Sequence, residues 1–302
     1  NGKEIDDIFE EIKNLLINNN VDYEVLDNPL INSSEFIKIH RLKCEAHNKN
    51  SKNEIKSSIK KEEQLVNKYA YKWLFNFFGV KKYVEQVILK GNLRLPQEKV
   101  VNFFENFNGD YLNHLIKAPT GIGKRICIIL SVLYLKKKHS NIKCVLITPK
   151  NDIYGEKAKK DYKYLDLIGI NVIDGTHGMF KKIKKDIKNK KNFILITTHQ
   201  SLAMDDNYSK IKLDFLIYDE VHYIGGDKLY DQIMKKKPEN LLGVSATPFT
   251  NSKDQNEKIR NLFKNNYMLD FSLKDAIETG CILKPKIKIY MINDLDKFLK
   301  NG

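Results

Sequence analysis

The sequence predicts an α/β domain with a mainly parallel sheet and helices on both faces, preceded by a smaller, mainly helical N-terminal region. Three observations predict it. Short apolar runs of strand length recur after about residue 91, longer mixed or charged segments separate them, and polar residues follow each run. Strands alternating with helices form parallel sheets covered on both sides. Such sheets bind ligands beyond the carboxyl ends of their strands, so the chemistry should lie just after each apolar run.

The N-terminal region opens with an expected amphipathic helix over residues 3–20, where Ile5, Ile8, Phe9, Ile12, Leu15 and Leu16 recur at helical spacing. Residues 47–63 are polar and charged and are expected to be a mobile connection or an exposed helix. Over residues 65–89, Tyr69, Tyr71, Trp73, Phe75, Phe77 and Phe78 alternate with Lys68, Lys72, Lys81 and Lys82. A basic aromatic surface can stack bases, but a helix packed on the main domain explains the same pattern and is preferred. The strands that follow are expected at Leu115–Ile116, Cys144–Ile147, Phe193–Ile196, Phe215–Tyr218 and Leu241–Val244.

The 302 residues suit a main core plus one accessory unit. Lys and Arg number 52 against 38 Asp and Glu, a formal net charge of +14. That balance fits a polyanionic partner such as nucleic acid, although a Lys-rich solvated surface would produce it too. Cys44, Cys127, Cys144 and Cys281 are scattered and form no disulfide framework, which points to a reducing, intracellular compartment. No apolar run approaches a membrane span and no secretory leader is visible. Cys44 and His47 have metal-like spacing but lack a second pair. His177, within Gly175–Gly178, reads as a turn residue after a strand.

The first chemical segment is Lys117-Ala118-Pro119-Thr120-Gly121-Ile122-Gly123-Lys124-Arg125, followed by an apolar helix from Ile126 to Leu135. A strand, a glycine-containing loop and a helix make a phosphate cradle: backbone N–H groups turn inward and the helix N-terminus adds positive potential. Lys124 would reach the β and γ phosphates. Arg125 stands where a Ser or Thr hydroxyl usually binds Mg²⁺. A guanidinium has no lone pair to offer a metal, so either a carboxylate and waters hold the ion or hydrolysis is impaired.

The second segment, Phe215-Leu216-Ile217-Tyr218, runs into Asp219-Glu220-Val221-His222. Two carboxylates at the end of a buried strand are unfavourable unless solvated or functional. Beside a triphosphate, Asp219 can hold Mg²⁺ directly or through water, Glu220 can orient and deprotonate a water, and His222 can join the surrounding hydrogen-bond network. The third segment, Leu241-Leu242-Gly243-Val244, ends in Ser245-Ala246-Thr247-Pro248. Its small hydroxyl residues, Ser245 and Thr247, can bond the acidic site on one side and a second domain on the other.

In this order the motifs resemble those of superfamily 2 helicases over roughly residues 91–285. Ala118–Lys124 resembles motif I, Asp219–His222 motif II of the DExH type, and Ser245–Thr247 motif III. Leu242–Phe249 and Leu273–Gly280 are similar to the branch containing restriction-enzyme motor subunits and related DNA translocases. The resemblance implies a RecA-like P-loop NTPase fold, with residues 1–90 an accessory region, 91–285 motor domain 1, and 286–302 the start of a connection to a second motor domain. That second RecA-like domain would come from a longer chain or a partner. The resemblance further implies ATP and Mg²⁺ as cofactors and DNA or RNA as partner. It puts Gln97, in Leu93-Arg94-Leu95-Pro96-Gln97, against adenine, whose N6 and N7 an amide can pair. Thr148 and Pro149, and Thr198 and Gln200, fall where the family contacts a nucleic-acid strand. The expected function is an ATP-dependent helicase or translocase. The alternative is a degenerate motor domain that binds nucleic acid or acts as a scaffold, with Arg125 marking weakened hydrolysis.

Overall fold

The computed structural model describes residues 52–139, 141–148, 162–175, 187, 190–204, 213–236 and 238–284. The expected helix at 3–20, Cys44, His47, Pro149, His177 and residues 286–302 lie outside the described residues. The described chain begins with a long helix, α1 (Lys52–Tyr83), whose first turns expose Lys56, Lys60 and Lys61. Residues 52–63 are helical, and the exposure of Lys56, Ser57, Lys60 and Lys61 agrees with the exposed-helix alternative at those residues. Gly79 breaks α1 with φ 86°, and a π-helical turn, Val84–Leu89, follows. Leu74, Phe75, Val80, Tyr83 and Val84 bury their side chains in the same core cluster as the sheet. This stretch packs on the main domain, as preferred, although Phe77 stays 52% exposed.

Seven strands follow: β1 (Asn113–Lys117), β2 (Lys143–Thr148), β3 (Asn171–Asp174), β4 (Phe193–Thr198), β5 (Phe215–Asp219), β6 (Asn240–Ser245) and β7 (Tyr267–Asp270). They form one sheet in the order β3-β4-β2-β5-β6-β1-β7, and every pairing is parallel. All five apolar runs became strands. β3 and β7 are not among the expected runs, because the four residues of each, Asn-Val-Ile-Asp and Tyr-Met-Leu-Asp, are too few to show a pattern.

Helices cover both faces. These are α2 (Leu95–Asn106), α3 (Lys124–Lys138), α4 (His199–Met204), α5 (Asp227–Lys236), α6 (Lys253–Phe263) and α7 (Leu273–Glu278). Alternate strand residues enter opposite cores. Ile116, Leu146, Ile194, Ile217 and Leu242 pack with α1, α2 and α3. Leu115, Val145, Leu195, Leu216 and Leu241 pack with Ile233 of α5 and Ile259 and Phe263 of α6. Burial on both faces explains why the strands read as continuous apolar runs rather than alternating ones. Each such side chain removed from water contributes about 1.5–3 kcal/mol. Cys127 and Cys144 lie in this core, and burial pushes the Cys127 thiol up to about 12.

Gly243 in β6 is required by a close approach. A Cβ there would sit 2.7 Å from Phe263 and 2.8 Å from Val221, the first residue of a 3₁₀ turn, Val221–Gly225, that follows β5. The missing side chain lets that turn lie against β6. Among the described residues, no helix is long and apolar enough to cross a membrane.

Candidate nucleotide and nucleic-acid site

Strand order brings the sequence-predicted residues to one edge of the sheet. Lys117 pairs with Ser245, Val244 with Asp219, Ile147 with Tyr218, and Thr148 with Thr198. The carboxyl ends of β1, β6, β5, β2 and β4 therefore stand in that order along the edge. At roughly 4.8 Å per strand, the acid strand β5 lies about 10 Å from the phosphate-loop strand β1. β6 lies between them.

The loop after β1 is built locally. Gly121 and Gly123 adopt φ 87° and 90°, a left-handed conformation that disfavours other residues. A Cβ on Gly123 would also come within 2.5 Å of Gln97 Nε2. Ile122 is fully buried and anchors the loop in the core, while Pro119 is half-buried and Thr120 and Gly121 are exposed. Lys124 begins α3, and its ammonium donates to the Ala118 carbonyl at 3.2 Å. It lies folded over the loop that would receive phosphate. Gln97 is buried behind the loop. Its Oε1 accepts from the Arg94 N–H at 2.9 Å, and its Nε2 lies 3.5 Å from the Ile122 carbonyl. The Arg94 guanidinium donates to the Gly121 carbonyl at 3.2 Å.

The acid pair is built by long-range contacts. Ser245 Oγ donates to Glu220 Oε2 at 3.1 Å, accepts from the Thr247 N–H at 3.1 Å, and lies 3.2 Å from His222 Nδ1. A hydroxyl has one proton, already given to Glu220, so the contact with His222 requires the imidazole to donate from Nδ1. His222 Nδ1 is also 3.5 Å from Glu220 Oε2. Glu220 has φ 56° and ψ 58°, a left-handed conformation that costs a side-chain-bearing residue roughly 1–2 kcal/mol. Its N–H donates to Asp219 Oδ1 at 3.1 Å. Burial first, and the Glu220 carboxylate second, push Asp219 up to about 6, while the charges of Lys124 and Arg125 and the Glu220 N–H pull it back. Arg125 is thus electrostatically part of the acid site.

At the β2–β4 end, Thr148 Oγ1 donates to the Thr197 carbonyl at 3.3 Å, and Thr198 Oγ1 bonds Ser201 Oγ at 3.0 Å. Both threonines are buried, whereas Gln200, on the first turn of α4, is exposed. Thr247 is exposed beyond β6.

Two residues assigned no role of their own from sequence, His199 of the strand-contact segment Thr197–Gln200 and Tyr223, join this site. His199 Nε2 bonds the Asp219 main-chain carbonyl at 3.1 Å. Its ring lies 4.6 Å from Tyr218 and 5.0 Å from Tyr223, and Tyr223 lies 4.4 Å from His222. Burial is the main cause that holds the His199 imidazole down at about 4, so it is neutral at neutral pH. Facing a carbonyl, Nε2 must carry the proton. The position of His199 directly after Thr198 hinted at a role, but only the strand order reveals its partner.

The arrangement fits a nucleoside triphosphate. The loop offers backbone N–H groups, a lysine and open space beside Gly121. Among the described residues, no cluster of three or more His, Cys, Asp or Glu could hold a metal unaided. Mg²⁺ is typically bound by one or two carboxylates together with substrate phosphates and waters, a donor set that the Asp219 carboxylate fits.

The family model described as type III restriction enzyme, res subunit, matches residues 90–250, just over half of the chain. The chain is 26% identical over 168 residues to a provisionally named helicase 22 of Sulfolobus islandicus filamentous virus (isolate Iceland/Hveragerdi), covering 53% of this chain and 29% of that protein. It is 28% identical over 180 residues to the reverse gyrase of Methanocaldococcus jannaschii, covering 57% of this chain and 10% of that protein. The chain thus spans under a third of the length of these relatives. The crystal structure of the Pyrococcus furiosus Hef helicase domain aligns with a TM-score of 0.47 at 18% identity, covering 60% of this chain and 37% of that one. By the match over residues 90–250, the chain belongs to the family of the type III restriction enzyme res subunit and carries a RecA-like motor domain of the superfamily 2 helicases.

Proposed function

We propose that the chain is motor domain 1 of an ATP-dependent helicase or translocase, binding Mg²⁺-ATP between β1 and β5 and a nucleic-acid strand toward β2 and β4. The observation that carries this reading is the single edge where the phosphate loop, the Ser245–Glu220–His222 cluster and the exposed Gln200 stand in line. Lys124 and the loop N–H groups of residues 119–125 would neutralise the phosphates, and Gln97 would face the adenine. Asp219 would hold Mg²⁺, which supplies charge neutralisation at the phosphates. Glu220, held by Ser245, would orient and deprotonate a water. Thr148, Pro149, Thr198 and Gln200 would mark the strand path, with Gln200 offering an exposed amide. Ser245 and the exposed Thr247 would couple the site to a second RecA-like domain, and such a domain would supply the arginines that complete hydrolysis. We assign residues 91–285 to this motor domain, 1–90 to an accessory region and 286–302 to the connection.

Titration with a fluorescent ATP analogue and Mg²⁺, followed by a single-stranded oligonucleotide over a salt series, tests the reading. The expected results are nucleotide binding and a strand affinity that falls steeply with salt, given the net charge of +14. Absent nucleotide binding, or a salt-indifferent strand affinity, refutes it. In a form that includes the second domain, Glu220→Gln should keep ATP binding and stop turnover.

One observation favours a second reading, a motor-like module that binds nucleic acid without efficient hydrolysis. Arg125 puts a cation beside Asp219 where the motif normally offers a hydroxyl oxygen. Mg²⁺-dependent ATPase activity in the two-domain form separates the two readings.

A further inference from the structure

We infer that His199 is a positioning residue that ties the strand-contact segment after β4 to the aim of Asp219 and Glu220. The inference rests on the proposed reading of that segment and of the acid pair. The peptide plane between Asp219 and Glu220 is held from both sides. Its carbonyl accepts from His199 Nε2 at 3.1 Å, and its N–H donates to Asp219 Oδ1 at 3.1 Å. The rotation of this plane sets the φ of Glu220, which stands at 56°, outside the region a glutamate ordinarily occupies. A plane held in such a conformation needs its anchors. The anchor on the carbonyl side comes from the first residue of α4, immediately between Thr198 and the exposed Gln200.

The same ring reaches Glu220 by a second route. His199 packs on Tyr223 at 5.0 Å, Tyr223 on His222 at 4.4 Å, and His222 Nδ1 lies 3.2 Å from the Ser245 hydroxyl that donates to Glu220. His199 is only 8% exposed, so it would not itself meet a strand. Any shift of the Thr198–Gln200 backbone on strand binding moves the ring, and the ring moves the peptide plane. Packed contacts of this kind carry coupling between sites only where binding at one biases the geometry of the other, and that bias is measurable as a binding linkage.

The test measures the affinity of the chain for a fluorescent ATP analogue with Mg²⁺, without and with saturating single-stranded oligonucleotide. The ratio of the two affinities reads the coupling and cancels any uniform loss of nucleotide binding. The wild-type ratio should be about fivefold or more in either direction, the lower end of typical allosteric coupling. His199→Phe keeps a ring against Tyr218 and Tyr223 but removes the N–H, and should bring the ratio close to one. His199→Gln restores an N–H donor and should recover much of the wild-type ratio, a rescue that a purely packing role would not produce. Tyr223→Ala alters a half-exposed side chain, removes the ring between His199 and His222, and should lower the ratio even if His199→Phe fails to fold. A wild-type ratio in both His199→Phe and Tyr223→Ala overturns the inference, as does a ratio of one in the wild type while both ligands bind. If the wild type fails to bind one of the ligands, the functional reading falls and the inference with it.

Discussion

The two ends of the parallel sheet carry polar side chains of the same kinds and use them in opposite ways. At the amino ends of the strands, Asn192 Oδ1 accepts from the Ile142 N–H at 3.0 Å and Asp214 Oδ2 from the Lys143 N–H at 2.9 Å. Asn240 Oδ1 accepts from the Leu112 N–H at 2.8 Å, while its Nδ2 donates to the Asp214 carbonyl at 2.9 Å. Each side chain there satisfies backbone groups that the ladder leaves over. At the carboxyl ends, Asp219, Glu220, Ser245 and His222 bond largely to one another, two carboxylates are neighbours, and Glu220 takes a left-handed conformation. Asp214 and Asp219 lie at opposite ends of one strand. The first caps a neighbouring strand, and the second is held in an electrostatically unfavourable place. The difference teaches that one edge of this sheet is arranged for stability, and the other gives up stability where the proposed ligand chemistry lies.

Four changes would break or sharpen that contrast. The largest effect is expected from Lys124→Ala, which removes the charge over the phosphate loop. Nucleotide affinity should fall by about a hundredfold or more, the scale for losing one member of a close charge pair, with little change in the unfolding midpoint. An unchanged affinity by direct titration would remove the phosphate-loop assignment.

Next is Asn240→Ala at the opposite edge. It leaves the Leu112 N–H and the Asp214 carbonyl without their partner. Urea denaturation should show a loss of about 2–4 kcal/mol while the folded fraction keeps its nucleotide affinity. A large affinity loss with unchanged stability would reverse the roles given to the two ends.

Asp219→Asn should do the opposite and stabilise the ligand-free domain at neutral pH. The sign follows from the raised titration of Asp219. Between its ordinary value of 3.8 and about 6, the folded protein holds a proton that the unfolded chain has released. Stability from this group is therefore lost as pH rises through that window. A neutral amide removes the penalty, a gain of about 1–2 kcal/mol at neutral pH after allowance for solvent screening, vanishing below the ordinary value. His199 contributes in the other sense, since its folded value near 4 lies below its ordinary 6.5. Its stabilisation is present above the ordinary value and is lost as pH falls through the window. A pH series of denaturation curves for wild type and Asp219→Asn separates the two, and an Asp219→Asn protein less stable than wild type at neutral pH would contradict the account.

The smallest effect concerns Arg125→Thr. It removes a positive charge that pulls on Asp219 and restores a hydroxyl that can bind a cation. The Mg²⁺ concentration needed for ATP-analogue binding should drop by a factor of a few, on the order of one charge interaction at intermediate dielectric. An equal or higher Mg²⁺ requirement would show that Arg125 is no impediment and would take away the main support for the non-hydrolysing reading.

The sequence by itself determined the local parts. Apolar runs such as Phe215–Tyr218 became buried strands because both faces of each strand meet a core, and Gly121 and Gly123 became left-handed turns because only glycine does so without strain. The order of motifs named the candidate residues of the proposed site. Tertiary structure alone decided who meets whom. Strand order placed β6 beside β5, which brought Ser245 to Glu220 across 25 residues of chain, and set β4 one strand from β5 across β2, which brought His199 to Asp219 across 20. It also turned the hydroxyls of Thr148 and Thr198 inward and left Gln200 outside. The physical reason is range. Backbone dihedrals and burial periodicity act over a few neighbouring residues and are written in the local pattern. The lateral order of parallel strands depends on how distant crossovers pack against both faces, and no short window of sequence encodes it.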